Sequence, residues 1–466
     1  AYTHLYSYGG NGTIFPLQEV TTDEMVVPTR GNDWEDGGNW RRLHTQTYTV
    51  EDDRVVGGWN FVFGGVNNCN RLIFQFEELG TPEAEAFIAE LKVLRALFYY
   101  WGMDMYGNIP IVDRFDVEPG FLPTTKSRQE VYNFVESEIL ANIDVLPRET
   151  GVSTYGRINY YVAQTILAKL YLNSEVYIGT PQWEKANAAC DVIINSGAYG
   201  LTTGYFENFI TQNRGSREFI FAIPYDEVFA TGFNLPMITL HYGSQQTYNL
   251  TAQPWNGFCS LQEFYESFED NDIRKNSFIV GPQFTAGGEP VMDPGYEAPN
   301  ADDPGRPVDP DGPHLNFTPE INELFPRAIR QAGARIGKWE FAIGATPDLS
   351  NDFAIFRYAD VLMMKAEALW RMNPGNTEAL GLVNEIRERA GVDPFDALSA
   401  ENILAERGRE FFSEVHRRTD LIRFGRYNDP WWEKPQTPPH VNIFPVPRAQ
   451  RDANPNLRQN PGYPGG

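Results

Sequence analysis

Between residues 157 and 197 the apolar positions recur at helical spacing twice over. Ala163, Ile166, Leu167, Leu170, Tyr171, Ser174 and Ile178 fall on one face of a predicted helix. Trp183, Ala186, Cys190 and Ile193 form the inner stripe of a second, with Thr180 as its expected cap, Pro181 in its first turn and Gly197 as its left-handed stop. Ala168 and Ala186 are small enough to let two helix backbones approach, so the pair reads as a hairpin of tetratricopeptide type. A second hairpin is predicted over 352–391, where Ala366 and Leu369 face Ala379, Val383 and Ile386. These last three repeat the spacing of Ala186, Cys190 and Ile193. Each hairpin has an apolar stripe that it cannot cover alone, which predicts that the two stack.

The same spacing predicts helices over 59–76, 85–106, 128–146 and 401–424. Gly107 ends the second of these, and Ile109-Pro110 turns the chain into an extended piece. In the last, Leu404, Gly408, Phe411 and Val415 mark the inner side. Its charges, Glu406, Arg407, Arg409, Glu410, Glu414, Arg417 and Arg418, are expected to pair along the surface. From 200 to 280 the pattern turns mixed, with a β-like run at 219–223 and loops rich in Asn, Gly and aromatic residues. Residues 281–319 hold so much proline and glycine that no regular element is expected. Asp309, Asp311 and Gly312 have the wrong spacing for a calcium loop, so no metal is expected there.

Composition narrows the partners. With 38 Lys and Arg against 62 Asp and Glu the net charge is −24, which excludes nucleic acid as a natural partner. The three cysteines have no metal or redox spacing and are expected as buried free thiols. No apolar run is long enough to span a bilayer, and no signal peptide opens the chain. Aromatic residues make up 14% of the chain, more than a helical scaffold needs for packing, so some rings are expected to face ligand.

Candidate chemistry follows from those rings. Trp34 and Trp40 lie in a polar glycine-rich stretch with Asp33, Asn39 and Arg41, and Trp255 lies in another with Tyr242, Tyr248 and Asn256. Flat rings beside fixed amides and charges suit a sugar, whose faces are apolar and whose rim is hydroxyl. Trp34 and Trp255 are the expected stacking platforms, with Trp40, Tyr242 and Tyr248 as alternates. Asp33, Asn39, Arg41 and Asn256 are the expected hydroxyl partners. Zinc-protease, nucleophile-elbow, phosphate-loop and dinucleotide motifs are all missing, so no catalytic residue, cofactor or metal ligand is assigned. A helical glycoside hydrolase, which needs only two carboxylates, and a repeat scaffold for protein partners are the alternatives.

Four segments together carry a resemblance: ELKVLRALFYYWGMDMYGNIPIV (90–112), FAIFRYADVLMMKAEAL (353–369), ILAERGREFFSEVHRRTDLIRFGRY (403–427) and FPVPRAQRDANPNLRQNPGY (444–463). They resemble the SusD/RagB family over essentially the whole chain. That resemblance implies a mainly α fold, with tetratricopeptide-like hairpins in a superhelix and an irregular, loop-rich ligand-binding lobe. It places the scaffold at about 55–197 and 351–427, the variable lobe at about 198–350 and a wrapping tail at 428–466 of one SusD-like domain. It further implies an outer-membrane lipoprotein that captures polysaccharide or oligosaccharide for a SusC-like TonB-dependent transporter in Bacteroidetes. The acidic charge favours a neutral glycan such as a β-glucan. Family members open with a lipoprotein signal and a lipid-bearing cysteine; neither stands in this chain, so membrane attachment is expected only through an absent lipid.

Overall fold

The computed structural model describes residues 1–466 except 32, 299, 303, 304, 306, 307 and 310. The fold is mainly helical. A long helix, Asp53–Leu79, turns at Gly80 into an antiparallel partner, Pro82–Tyr106, and Arg128–Asn142 packs against that partner. The starts of the second and third helices are set locally. Thr81 accepts from Ala84 N at 3.3 Å, and Ser127 forms a reciprocal capping box with Glu130. Gly107, at φ 67°, ends the second helix where its periodicity stops.

The first predicted hairpin is Tyr160–Leu172 with Trp183–Ser196, and the second is Tyr358–Met372 with Thr377–Ala390. They stack through Trp183–Ser196 on Tyr358–Met372. Ala163, Ala168, Ala186, Cys190, Ala366, Ala379, Val383 and Ile386 are all completely buried in this contact region and its flanks, as close helix approach requires. Two details differ from expectation. The first helix stops at Asn173, and Ser174–Ile178 is a separate short turn. Thr180 does not cap the second helix, which begins at Trp183 behind Gln182 with no side-chain cap. Gly197 does stop it, at φ 63°.

The antiparallel ribbon Phe219–Ile223 with Phe353–Arg357 leads directly into the second hairpin, and both strands are buried throughout. The remaining strands are two-residue pairs that tie loops together, such as Met25–Val26 with Cys259–Ser260. The tail lies along the first helix pair: Phe444 N donates to Met105 O at 2.7 Å, and Asn460 Nδ2 donates to Tyr106 O at 2.7 Å. Cys69, Cys190 and Cys259 are buried and free.

The predicted helix over 401–424 is two helices, Ala400–Phe411 and Arg417–Arg423, and its charges are not on the surface. Glu406, Arg407, Arg409, Glu410, Glu414, Arg417 and Arg418 are buried. Arg357 Nη1 lies 2.7 Å from Glu410 Oε1 and 3.1 Å from Glu218 Oε2, and its Nε lies 2.6 Å from Glu414 Oε2. Arg274 Nη1 bridges Glu406 Oε1 at 2.6 Å and Glu410 Oε2 at 3.1 Å, and Arg389 pairs with both Glu218 and Glu410. Sequence periodicity places these residues on a helix but says nothing about a second element packing over their polar face.

The break between the two helices is built on acids from the start of the chain. Ser413 and Val415 adopt φ of 63° and 68°, a region that a β-branched residue seldom enters. Glu24 accepts the Ser413 amide at 3.0 Å and Glu19 accepts that of Val415, so the turn is paired where a helix could not be. The two carboxyls are completely buried. Burial raises both pKa values, and the nearby Glu19 charge raises Glu24 further, against weaker opposition from Arg417.

Two consequences can be measured. Burial alone would raise the Glu410 pKa, but Arg389, Arg357 and Arg274 hold it at about 2, so its ionised form stabilises the fold above the usual carboxylate range. That contribution is lost as pH falls toward 2, and Glu410→Ala, which leaves three guanidiniums short of a partner, should cost about 3–5 kcal/mol in denaturant unfolding at neutral pH. Glu24 has the opposite sign. Its folded pKa is raised, so the folded state retains a proton that the unfolded chain releases, and stability falls as pH rises through the folded value. Glu24→Gln, which mimics the protonated acid, should flatten that decline; an unchanged pH–stability profile would show that Glu24 is not protonated in the fold.

Candidate functional site

The segments around Trp34 and Trp255, more than two hundred residues apart in sequence, meet through a buried arginine. Arg30 Nη1 donates to Asn256 O at 3.2 Å and Gly257 O at 3.0 Å, and Nη2 donates to Ala332 O at 2.7 Å. A second buried arginine, Arg335, donates to Ala332 O at 2.7 Å, to Arg330 O at 2.8 Å and to Asn256 Oδ1 at 2.8 Å. Both use carbonyl and amide oxygens as acceptors, which fixes three loops against one another.

Trp34 stands at φ 62° with its ring over Gly257, where a Cβ would come within 2.4 Å of the ring. Its Nε1 donates to Trp255 O at 2.7 Å. Trp40 lies behind it, edge to face at 5.4 Å, and packs on Phe258 at 5.2 Å. Trp40 is only 1% exposed and its Nε1 is bonded to Asp36 Oδ2 at 2.7 Å, so it supports the site and cannot be a stacking platform. Asn256 is likewise corrected. It is fully buried, accepts from Arg335 and donates to Arg330 O at 3.1 Å, so its amide serves the loop junction and lies out of reach of a ligand hydroxyl.

In front of this wall opens a cleft of about 440 Å³, lined by Asp33, His241, Tyr242, Gln245, Gln246, Gln253, Met292, Asp293 and Arg330 among others. Tyr242 Oη donates to Asp33 Oδ2, and the Arg330 guanidinium lies 5.2 Å from the centre of the Tyr242 ring. Burial, with Asp33 adding to it, pushes the Tyr242 phenol up to about 12, so it remains a donor at any physiological pH. Arg330 Nη1 also reaches Asp293 Oδ1 at 3.1 Å. Burial opposes ionisation of Asp293, yet His241, the Gly295 amide and Arg330 hold it below the usual range. Burial lowers His241, and its Nδ1 accepts the Gly243 amide at 3.0 Å, which leaves the proton on Nε2, 3.2 Å from Asp293 Oδ2.

Of the residues expected from sequence, Asp33 and Tyr242 line the cleft; Trp34 and Trp255 do not line it, but they follow lining residues in the chain, Trp34 next to Asp33 and Trp255 two residues after Gln253. Trp255 is 43% exposed, the most open of the expected rings. Three residues lie elsewhere. Tyr248 packs edge to face on Phe341 at 5.5 Å, Asn39 Nδ2 donates to Asp36 O at 2.8 Å within its own turn, and Arg41 stacks 4.2 Å over Phe325. Gln245 and Gln246 were visible in the loop that supplies Tyr242. Asp293 and Arg330 carry no local signal, because only the fold brings them to Tyr242. Asp309 and Asp311, in the acidic loop, already accept from protein: Asp309 from Gln331 and the Asp311 amide, Asp311 from Asn316 Nδ2 at 2.6 Å. Among the described residues no group of three or more His, Cys, Asp or Glu side chains could hold a metal ion. Six residues of that loop, 299, 303, 304, 306, 307 and 310, fall outside those described.

Comparison with known proteins completes the picture. Residues 344–463 match the model described as the SusD family, and residues 11–172 match one described as starch-binding associating with outer membrane. The starch-binding protein SusD of Bacteroides thetaiotaomicron is 25% identical over 97% of this chain and 85% of its own. Over these segments the chain is similar to the SusD family. Solved SusD-like structures share the fold. A laminarin-binding SusD-like protein superposes with a TM-score of 0.76 at 20% identity, covering 99% of this chain and 97% of that one. Surface glycan-binding protein A from Bacteroides thetaiotaomicron, in complex with laminarihexaose, gives 0.75 at 21% identity over 96% and 93%. The SusD-like helical scaffold is therefore the one expected from the hairpins.

The division of labour in this site can be tested by stability. Asn256→Ala strips the Arg335 guanidinium of a buried partner and should cost about 1.5–3 kcal/mol. Trp255→Ala, with its ring half open to water, should cost well under half of that in the same urea titration; equal losses would remove the distinction between post and platform.

Proposed function

We propose that this chain captures a neutral polysaccharide, a β-glucan in first place, at the cleft beside Trp255 and passes it uncut to a SusC-like TonB-dependent transporter. The observation that carries the reading is a cleft rimmed by fixed hydroxyl partners, with an open indole two residues along the chain from one of them, Gln253. Trp255 offers a flat apolar face, while Asp33, Tyr242, Gln245, Gln246 and Arg330 present acceptors and donors around one cleft. Relatives named for starch, laminarin and laminarihexaose support a glucan as the ligand. Placement at the outer surface of the outer membrane, through a lipid, rests on similarity to the SusD family and on the family model's own description. Among the described residues no helix is long and apolar enough to cross a membrane.

The cleft's acids argue against hydrolysis. A glycosidase needs a carboxyl held protonated to give its proton to the leaving oxygen. Asp293 is instead held ionised, and Asp33 accepts from Tyr242. A few stacking and hydroxyl contacts suit capture and release, with affinity of about −4 to −8 kcal/mol, roughly millimolar to micromolar. Purified protein titrated with laminarin oligosaccharides should bind in that range, and Trp255→Ala should weaken binding several-fold. Prolonged incubation should release no reducing ends. Wild-type affinity in Trp255→Ala would misplace the site, and protein-dependent release abolished by one carboxylate change would make the chain a hydrolase.

A further inference from the structure

A second, larger cleft of about 680 Å³ opens where the first hairpin meets the strand Phe219–Ile223. Tyr155, Tyr199, Phe219 and Ala222 give it rings and an apolar wall, and Arg214 and Arg217 bring positive charge to it. The two arginines differ in what they already hold. Arg214 Nε lies 3.2 Å from Asp352 Oδ2, which also accepts from Tyr155 Oη at 2.6 Å, so its charge is matched within the fold.

Arg217 has no such match. It is exposed, and among the described residues its guanidinium meets no carboxylate and donates no hydrogen bond. Its guanidinium lies against Gly200. A Cβ at Gly200 would come within 2.4 Å of Arg217 Nη2, so the guanidinium occupies space that only glycine leaves open. The Gly200 amide donates back to Arg217 O at 3.1 Å, which fixes the two segments together.

In a chain of net charge −24, a guanidinium at the wall of a cleft with no carboxylate beside it is a point of positive charge to which an anion is drawn. Its planar fork fits a carboxylate with two parallel hydrogen bonds. The volume lies within the span of small-ligand sites, and tyrosine rings beside an apolar wall suit the faces of a sugar. We propose that this cleft binds a uronate residue of an acidic oligosaccharide, with the sugar carboxylate on Arg217 and the sugar ring against the tyrosine-lined wall. The site is separate from the Trp255 cleft and selects the opposite charge class, so it stands whether or not the neutral glycan reading holds.

Calorimetric titration with trigalacturonate tests it, alongside a neutral trisaccharide and a blocked triglutamate peptide. Trigalacturonate should bind wild type and weaken with added salt, while the neutral trisaccharide should not compete for the site. Arg217→Gln should lower the affinity by about ten-fold or more, as expected for a lost charge-assisted pair. Gly200→Ala, which displaces the guanidinium without removing its charge, should lower it as well. Binding of the glucan at the Trp255 cleft should be unchanged in Arg217→Gln, which separates failure of one site from failure of the other. No trigalacturonate binding, wild-type affinity in Arg217→Gln, or tighter binding of the peptide would each overturn the proposal.

Discussion

The buried ion network around Arg357 is the constraint on which the arrangement depends. It joins a strand residue, Arg357, to Glu410 and Glu414 at the end of the helix Ala400–Phe411, to Glu218 beside the opposite strand, and through Glu410 to Arg274 of the loop-rich region. Ions withdrawn from water are unfavourable unless each finds opposite charge at close range. Each position of the scaffold is therefore coupled to the others: moving the strand, the helix or the loop by an ångström would strand a charge. Whether such a network adds net stability over an apolar core is a separate matter, but it defines which packing is admissible.

The same principle operates in milder form beneath the candidate site. Arg30 and Arg335 draw on carbonyl groups of residues 256, 257, 330 and 332, and so they pin loops that have almost no regular structure of their own. Trp34 and Trp40 complete the wall. An indole hydrogen-bonded to the Trp255 carbonyl and stacked over Gly257 holds the loop that presents the more open Trp255 ring. Irregular backbone can thus hold a binding surface in place because its polar groups are satisfied from within.

Function in this arrangement is divided by exposure. The helical hairpins contribute shape and stability, the loop region contributes polar groups and open rings, and the chain's surplus of acid is partly internal, matched against arginines. The two clefts illustrate the consequence. At the first, charges are paired with each other and the surface offers hydroxyl partners; at the second, one guanidinium is left over.

Much of the scaffold was legible in sequence. The spacing of Ala186, Cys190 and Ile193 and of Ala379, Val383 and Ile386 located both hairpins, and Gly107 and Gly197 located their neighbours' ends, because helix periodicity and left-handed stops are local properties. The resemblance to the SusD family was legible for the same reason, in four contiguous segments. Tertiary structure alone decided the rest. Charges read as a solvated helix face became a buried network, since a helix cannot show in sequence what will pack over its polar side. A predicted single helix became two, because Glu19 and Glu24, nearly four hundred residues away, offered its backbone a better set of acceptors. Among the aromatic and amide residues, composition identified candidates, but which of them became posts, as Trp40 and Asn256 did, and which stayed open, as Trp255 did, depended on arginines and carbonyls brought in from distant loops. Burial is a property of the whole fold, and no local pattern encodes it.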